Sequence, residues 1–173
     1  MSKLIAFAGL PGTGKTTLAK QLAKQMGAVL LNKDEVRASL FAPDDIDYSS
    51  KQNDFCMAIL YQLAAYHAEQ HSERAIIIDG RTFSLRAQVS ALEHCAEKCA
   101  RPLVLTECVC SDAVAEKRLA RDAGKHVAAD RTVELYRRVK AAWEEITIPK
   151  LKLSTDGENE EQLLERILKY LEP

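Results

Sequence analysis

The sequence has 173 residues, enough for one domain with a sizeable core. Hydrophobic residues make up 47% and charged residues 28%, a balance that excludes an intrinsically disordered chain. Lys and Arg total 24 against 25 acids, for a net charge of -1, so the basic excess that grips a long duplex is missing and no extended nucleic-acid surface is expected.

Short apolar runs alternate with longer amphipathic stretches along the chain, the pattern of a parallel α/β fold. Residues 4–8 read as a buried strand, followed by a glycine-rich turn and a helix over 15–26. A second strand is predicted at 28–31, and Asn32, with Glu35 three residues on, caps a brief helix to residue 40. Residues 41–48 are acidic, contain Pro43 and read as a loop. Helical spacing of Phe55, Ile59, Leu60, Leu63 and Ala64 predicts a helix over 49–71. A strand at 75–78 ends on Asp79, a helix follows over 84–99, and a strand runs over 102–110. Ser111 opens a helix carrying Lys117, Arg118 and Arg121. A polar stretch with Gly124 and His126 leads to a helix over 130–145, a last strand at 151–154 and a closing helix over 158–171. No repeat or linker interrupts the chain, so one domain over 1–173 is expected, with a short lid around 121–131.

The apolar run at residues 4–8 is too short for a signal-peptide core or a membrane span. The five cysteines form no paired CxxC array and read as reduced thiols of a cytoplasmic protein. A zinc site from Cys95, Cys99, Cys108 and Cys110 is disfavoured, because structural zinc spacings differ.

The strongest local signal is Gly9-Leu10-Pro11-Gly12-Thr13-Gly14-Lys15-Thr16, which satisfies G-x-x-x-x-G-K-[ST]. Its context, strand before and helix after, is the required one. Gly9, Gly12 and Gly14 let successive N–H groups converge, with Thr13 between them, and the concavity opens on a helix N-terminus that favours phosphate. Lys15 can reach the β- and γ-phosphates, and Thr16 offers a hydroxyl to Mg²⁺. ATP and Mg²⁺ are therefore the expected cofactors, and Thr17 extends the cradle.

Further residues separate phosphoryl transfer from mere binding. Asp34 follows the second strand, where a parallel sheet gathers functional groups beyond its carboxyl edge, and can accept the proton of an attacking hydroxyl. Arg37, one helical turn on, is placed to hold substrate. Asp79 ends the third strand, where a carboxylate would hold Mg²⁺ directly or through water. Arg81 and Arg86 lie beyond it, and Arg86 is the weaker substrate candidate. Arg118, Arg121 and Arg131 can exclude water and bring positive charge to a γ-phosphate.

On Gly9 to Thr17, Asp34-Glu35-Val36-Arg37, Asp79-Gly80 with Arg86, and Arg118-Leu119-Ala120-Arg121, the chain resembles the small P-loop kinases. That group includes gluconate, shikimate and adenylylsulfate kinases, chloramphenicol phosphotransferase, zeta-type toxins and polynucleotide kinase. The likeness covers nearly the whole chain and is nearest to the predicted-kinase "AAA domain" branch. It implies a P-loop NTPase fold, a three-layer α/β/α sandwich on a five-stranded parallel sheet like that of nucleoside monophosphate kinases. It also implies Asp34 as general base, Arg37 on the substrate, and Arg118 and Arg121 shared between adenine and phosphates. The expected partner is a small-molecule or 5′-hydroxyl acceptor, with no membrane, and the chain is expected as a monomer or homodimer. Asp79-Gly80-Arg81-Thr82 lacks the proline of the mononucleotide kinases' Asp-Gly-x-Pro-Arg signature, which counts against a mononucleotide acceptor.

Three other classes compete. Asn32-Lys33-Asp34-Glu35 resembles the guanine-reading Asn-Lys-x-Asp of GTPases, but its fourth residue is Glu35 and it falls after strand two. An ATP-binding regulatory module or NTPase without an acceptor is the main alternative. An AAA+ motor is disfavoured by the short chain.

Overall fold

The computed structural model describes residues 2–122, 130–157 and 159–172. Gly124 and His126, and most of the expected lid, lie outside the described residues.

Five strands form one parallel sheet in the order β2-β3-β1-β4-β5. They are β1 (Leu4–Ala8), β2 (Val29–Asn32), β3 (Ile76–Asp79), β4 (Leu103–Val109) and β5 (Lys150–Ser154). All five residues of β1 are buried, as a central parallel strand covered on both faces requires. Helix α1 (Lys15–Met26) and α7 (Glu160–Leu171) cover one face, while α3 (Ser50–Gln70) and α4 (Arg86–Lys98) cover the other. Alternation along β1 sorts its side chains: Ile5 and Phe7 pack with Leu18, Leu22, Leu163 and Ile167, whereas Leu4 and Ala6 pack with Met57, Leu60, Val89 and Leu92. The result is the three-layer α/β/α sandwich expected from the sequence. A smaller cluster of Ala115, Leu119 and Tyr136 joins α5 (Asp112–Asp122) to α6 (Val133–Ala141), with Leu10 against it.

Several boundaries differ from the sequence expectation. Helix α6 is shorter than 130–145, because the Thr132 side chain caps it at Leu135 N and Glu144 N leaves the helix to donate to Ser84 O. The segment 41–48 is not all loop, since Pro43–Asp45 makes a single 3₁₀ turn with proline at its start. Short α2 (Lys33–Leu40) begins as read, with the Asn32 side chain accepting from Asp34 N and Glu35 N. Glu35 does not reach back to complete a box; it pairs with Lys20 on α1 at 3.2 Å. The reciprocal box is found instead at α7, between Asn159 and Gln162.

The cysteines sit in different layers. Cys95 and Cys99 belong to the α3–α4 side of the sheet and Cys108 to the α1–α7 side, so those three thiols cannot share one ion. Burial pushes the Cys95 and Cys108 thiols up to about 12.

Among the described residues, Arg101 is the one buried cation far from the strands' carboxyl edge. Its guanidinium donates to the carbonyls of Ala68, His71 and Arg74 and to Ser2 Oγ, closing the C-terminus of α3. Replacing it by methionine should lower stability by about 2–3 kcal/mol through stranded carbonyls, with denaturant slope unchanged. Urea unfolding of Arg101→Met against the parent chain checks this.

Candidate active site

The sheet order reverses at β1, which pairs β3 on one side and β4 on the other, so the crevice beyond the carboxyl ends of the strands opens there. The loop at residues 9–16 leaves β1 into that crevice. Gly9 has φ 136°, and a Cβ there would lie 2.2 Å from Cys108 O. At Gly12 (φ 82°) it would lie 2.9 Å from Ala115 O. Side chains are thus excluded by β4 and α5 as well as by the left-handed backbone. Thr13 Oγ1 donates to Leu10 O at 2.8 Å, pinning the turn from within.

Lys15 opens α1 and is buried. Its Nζ donates to the carbonyls of Gly9 and Leu10, each at 2.8 Å. Burial lowers its pKa to about 8; Asp79 opposes that shift, and Arg131 adds to it.

Two carboxylates flank the lysine. Asp79 is fully buried at the end of β3; its Oδ2 accepts from Asn32 Nδ2 at 2.7 Å, while Oδ1 has no hydrogen-bond partner among the described residues. Asp34 is held from three sides. Its backbone N–H donates to Asn32 Oδ1 (2.9 Å), and its carboxylate Oδ1 accepts from Arg37 Nη1 at 2.7 Å, with Lys33 Nζ at 3.5 Å. One side chain, Asn32, therefore ties both acids together.

A cavity of about 790 Å³ joins these groups. Gly12, Gly14, Lys15, Thr16, Thr17, Asp34, Arg118 and Arg121 all line it. Gly9 and Thr13 lie beneath as loop framework, and Asp79 sits behind the lysine. Two expected substrate contacts are placed elsewhere. Arg37 is only 2% exposed and is absent from the cavity wall; both its Nη atoms are spent, on Asp34 and on Asn53 Oδ1, and Tyr48 stacks on the guanidinium at 4.9 Å. Arg86 is exposed outside the cavity, at the start of α4, where its N–H donates to Glu144 Oε2 at 2.5 Å. Arg81 takes the rim position instead, paired with Asp54 at 2.6 Å.

Arg118 is fixed across the loop, donating to Gly12 O (3.3 Å), Thr155 Oγ1 (2.9 Å) and Thr155 O (2.8 Å). Arg121 is largely exposed and, among the described residues, pairs with its neighbour Asp122.

Asn53 is the residue that sequence reading missed. Its Oδ1 accepts from both Lys33 Nζ (2.7 Å) and Arg37 Nη2, while its Nδ2 donates to the carbonyls of Tyr48 and Ser49, each at 2.9 Å. Every hydrogen-bonding site of the amide is filled, which fixes its orientation. Local sequence holds no signal for this, since an Asn one turn into a helix reads as a surface residue.

A P-loop on a parallel sheet, with one acid beyond β2 and another ending β3, defines a kinase-like P-loop fold. A model of the AAA domain family matches residues 4–146, and the chain belongs to that family. No curated protein matches the sequence. Among solved structures, a candidate kinase from Chloroflexus aurantiacus is 21% identical, with a TM-score of 0.76 over 99% of each chain. The Mycobacterium tuberculosis APS kinase CysC, in complex with AMPPNP and APS, is 16% identical, with a TM-score of 0.75 over 99% of this chain and 98% of that one. Chaetomium thermophilum Kti12, in complex with ADP-AlF3, is 16% identical, with a TM-score of 0.68 over 98% of this chain and all of that one. At these identities the likeness is one of fold.

Because Asn53 Oδ1 accepts directly from Arg37 Nη2, their loss should not be additive. A double-mutant cycle of Asn53→Leu with Arg37→Met, read by urea unfolding, should give a coupling of about 1–3 kcal/mol. Additivity within about 0.5 kcal/mol would separate them.

Proposed function

We propose that the chain is an ATP-dependent phosphotransferase that moves the γ-phosphate of ATP to a hydroxyl of a small acceptor. The observation that carries this reading is the shared cavity, in which the phosphate loop and the Asp34 carboxylate face one space. A nucleotide-binding loop alone needs no second carboxylate in its cavity, whereas transfer to a hydroxyl does.

Lys15 exchanges the carbonyls of Gly9 and Leu10 for phosphate oxygens when nucleotide enters, and its ammonium offsets charge on the departing group. Asp34 keeps Oδ1 on Arg37 and Lys33, leaving Oδ2 to orient the acceptor hydroxyl and receive its proton. Arg118, anchored at Thr155, flanks the nucleotide base, while Arg121 and Arg131 approach the phosphates. Thr16 and Asp79 fit Mg²⁺, both being hard oxygen donors, and the buried partnerless Asp79 Oδ1 is the kind of orphan a hydrated cation satisfies. Bound there, Mg²⁺ would supply charge neutralisation at the β- and γ-phosphates. The acceptor end is walled by Tyr48, Ser50, Asn53, Arg81, Thr82 and Gln88, with Gln88 Oε1 unpartnered among the described residues, which suits a small, highly polar compound.

Asp34→Asn tests the reading. With Mg²⁺ and a panel of hydroxyl acceptors, one acceptor should raise ATP turnover well above the water background, and Asp34→Asn should cut that gain by about 10²–10⁴-fold while ATP affinity holds. Tight ATP binding with no acceptor response, and no effect of the substitution, would put a nucleotide-binding regulatory module ahead.

Lys15 gives a pH signature. Its depressed pKa in the free loop means that the ammonium is present at pH 7 and lost as pH rises through about 8, while phosphate binds the charged form. ATP affinity should therefore be about tenfold weaker at pH 9 than at pH 7, with proton uptake on binding above pH 8. Calorimetry in buffers of different ionisation enthalpy reads both, and Lys15→Met should flatten the profile.

A further inference from the structure

Helix α3 is apolar on two sides. Cys56, Met57, Leu60 and Ala64 enter the core, as a covering helix requires. The opposite side is apolar too: Phe55 is 54% exposed, Leu63 36% and Tyr66 59%, with half-buried Ile59 between them. These residues recur at helical spacing and form one stripe. Phe41 extends it at one end, meeting Phe55 edge-on with ring centroids 6.0 Å apart, and Leu40 beside it is half exposed. A contiguous exposed apolar stripe of this kind marks an association surface.

The order of residues says what covers it. Along the stripe from Lys51 come Phe55, Ile59, Gln62 and Leu63, Tyr66, then Glu69. Read backwards the pattern is similar: acid for base at the ends and aromatic for aromatic inside them, with Gln62 answering Ile59 beside the centre. The pairs Lys51 with Glu69, Phe55 with Tyr66, and Ile59 with Gln62 are all centred on residues 60–61. Lys51 and Glu69 are exposed, and neither makes an ion pair among the described residues. A surface that matches its own reverse, with opposite free charges at its ends, is self-complementary about a two-fold axis.

We propose that α3 packs antiparallel against α3 of a second copy of this chain, with the two-fold axis near residues 60–61, making a homodimer. Phe55 of each copy then meets Tyr66 of the other, and Lys51 meets Glu69 at both ends. The stripe is about 27 Å long and one helix wide, a small interface, so the dimer is a weak one, with a dissociation constant on the order of tens of micromolar. The proposal is independent of the phosphotransferase reading.

Sedimentation of the full chain from about 1 to 300 μM tests it, a range chosen to bracket that dissociation constant. The sedimentation coefficient should rise with concentration from monomer to dimer. Tyr66→Glu should hold the chain monomeric throughout, with melting temperature unchanged because the side chain is exposed. Lys51→Glu should weaken the dimer several-fold, and Lys51→Glu combined with Glu69→Lys should restore it, since the double exchange rebuilds both ion pairs. A monomer at every concentration overturns the proposal and leaves the face to another kind of partner. A dimer that survives Tyr66→Glu overturns it as well. A double variant no tighter than Lys51→Glu overturns the antiparallel arrangement.

Discussion

Strand β2 meets β3 with Asn32 opposite Asp79, and this parallel register is the constraint on which the rest of the site depends. It lets one carboxamide donate to Asp79 while its oxygen caps α2, which in turn aims Asp34. A slip of one residue would turn every side chain of β2 to the other face and separate the two acids. Gly80 reinforces the junction: its φ is 96°, and a Cβ there would lie 2.9 Å from Lys33 N, so the strand end and the helix start are in direct backbone contact. The register is not free to shift in any case, because Val29 and Leu31 enter the core on one side.

The sequence made some of this legible and not the rest, for physical reasons. The phosphate loop, the Asn32 cap and the acid ending β3 are written in short windows, since turns, caps and strand ends obey local rules. The five strands could be named from apolar runs, and the three-layer architecture follows from their alternation with helices. What Arg37 touches could not be read, because its partner Asn53 lies on α3, across the acidic loop. The same holds for Arg118, whose anchor Thr155 follows β5, and for Arg86, whose backbone N–H donates to Glu144 beyond α6. The expected helix over 130–145 is too long because its far end is set by a distant partner: Glu144 N–H is drawn off by Ser84 O.

Members of this fold act on unlike acceptors, as the solved structures of an APS kinase and a gluconokinase illustrate. In the present chain the two walls of the cavity are built from unlike parts of the fold. The loop, Lys15 and Asp79 rest on β1, β3 and α1, all deep in the core, whereas Tyr48, Ser50 and Asn53 come from the α2–α3 connection and the first turn of α3. The phosphate-loop wall is thus built from residues that cannot change without disturbing the sheet. The opposite wall, where the proposed acceptor would lie, is built from a connection that can, provided Asn53 continues to hold Lys33 and Arg37 in place.

The close approaches at Gly9 and Gly12 bear on how tightly such a cradle can hold its guest. The loop is not shaped by its own sequence alone; the carbonyls of Cys108 and Ala115 press against it from two neighbouring elements, so its curvature is cast by the surrounding mould. A binder cast in advance loses little freedom on meeting a ligand, and the ordering entropy then falls on the nucleotide alone. Mutations in β4 or α5 that never touch a phosphate would still be felt as slackness in the grip.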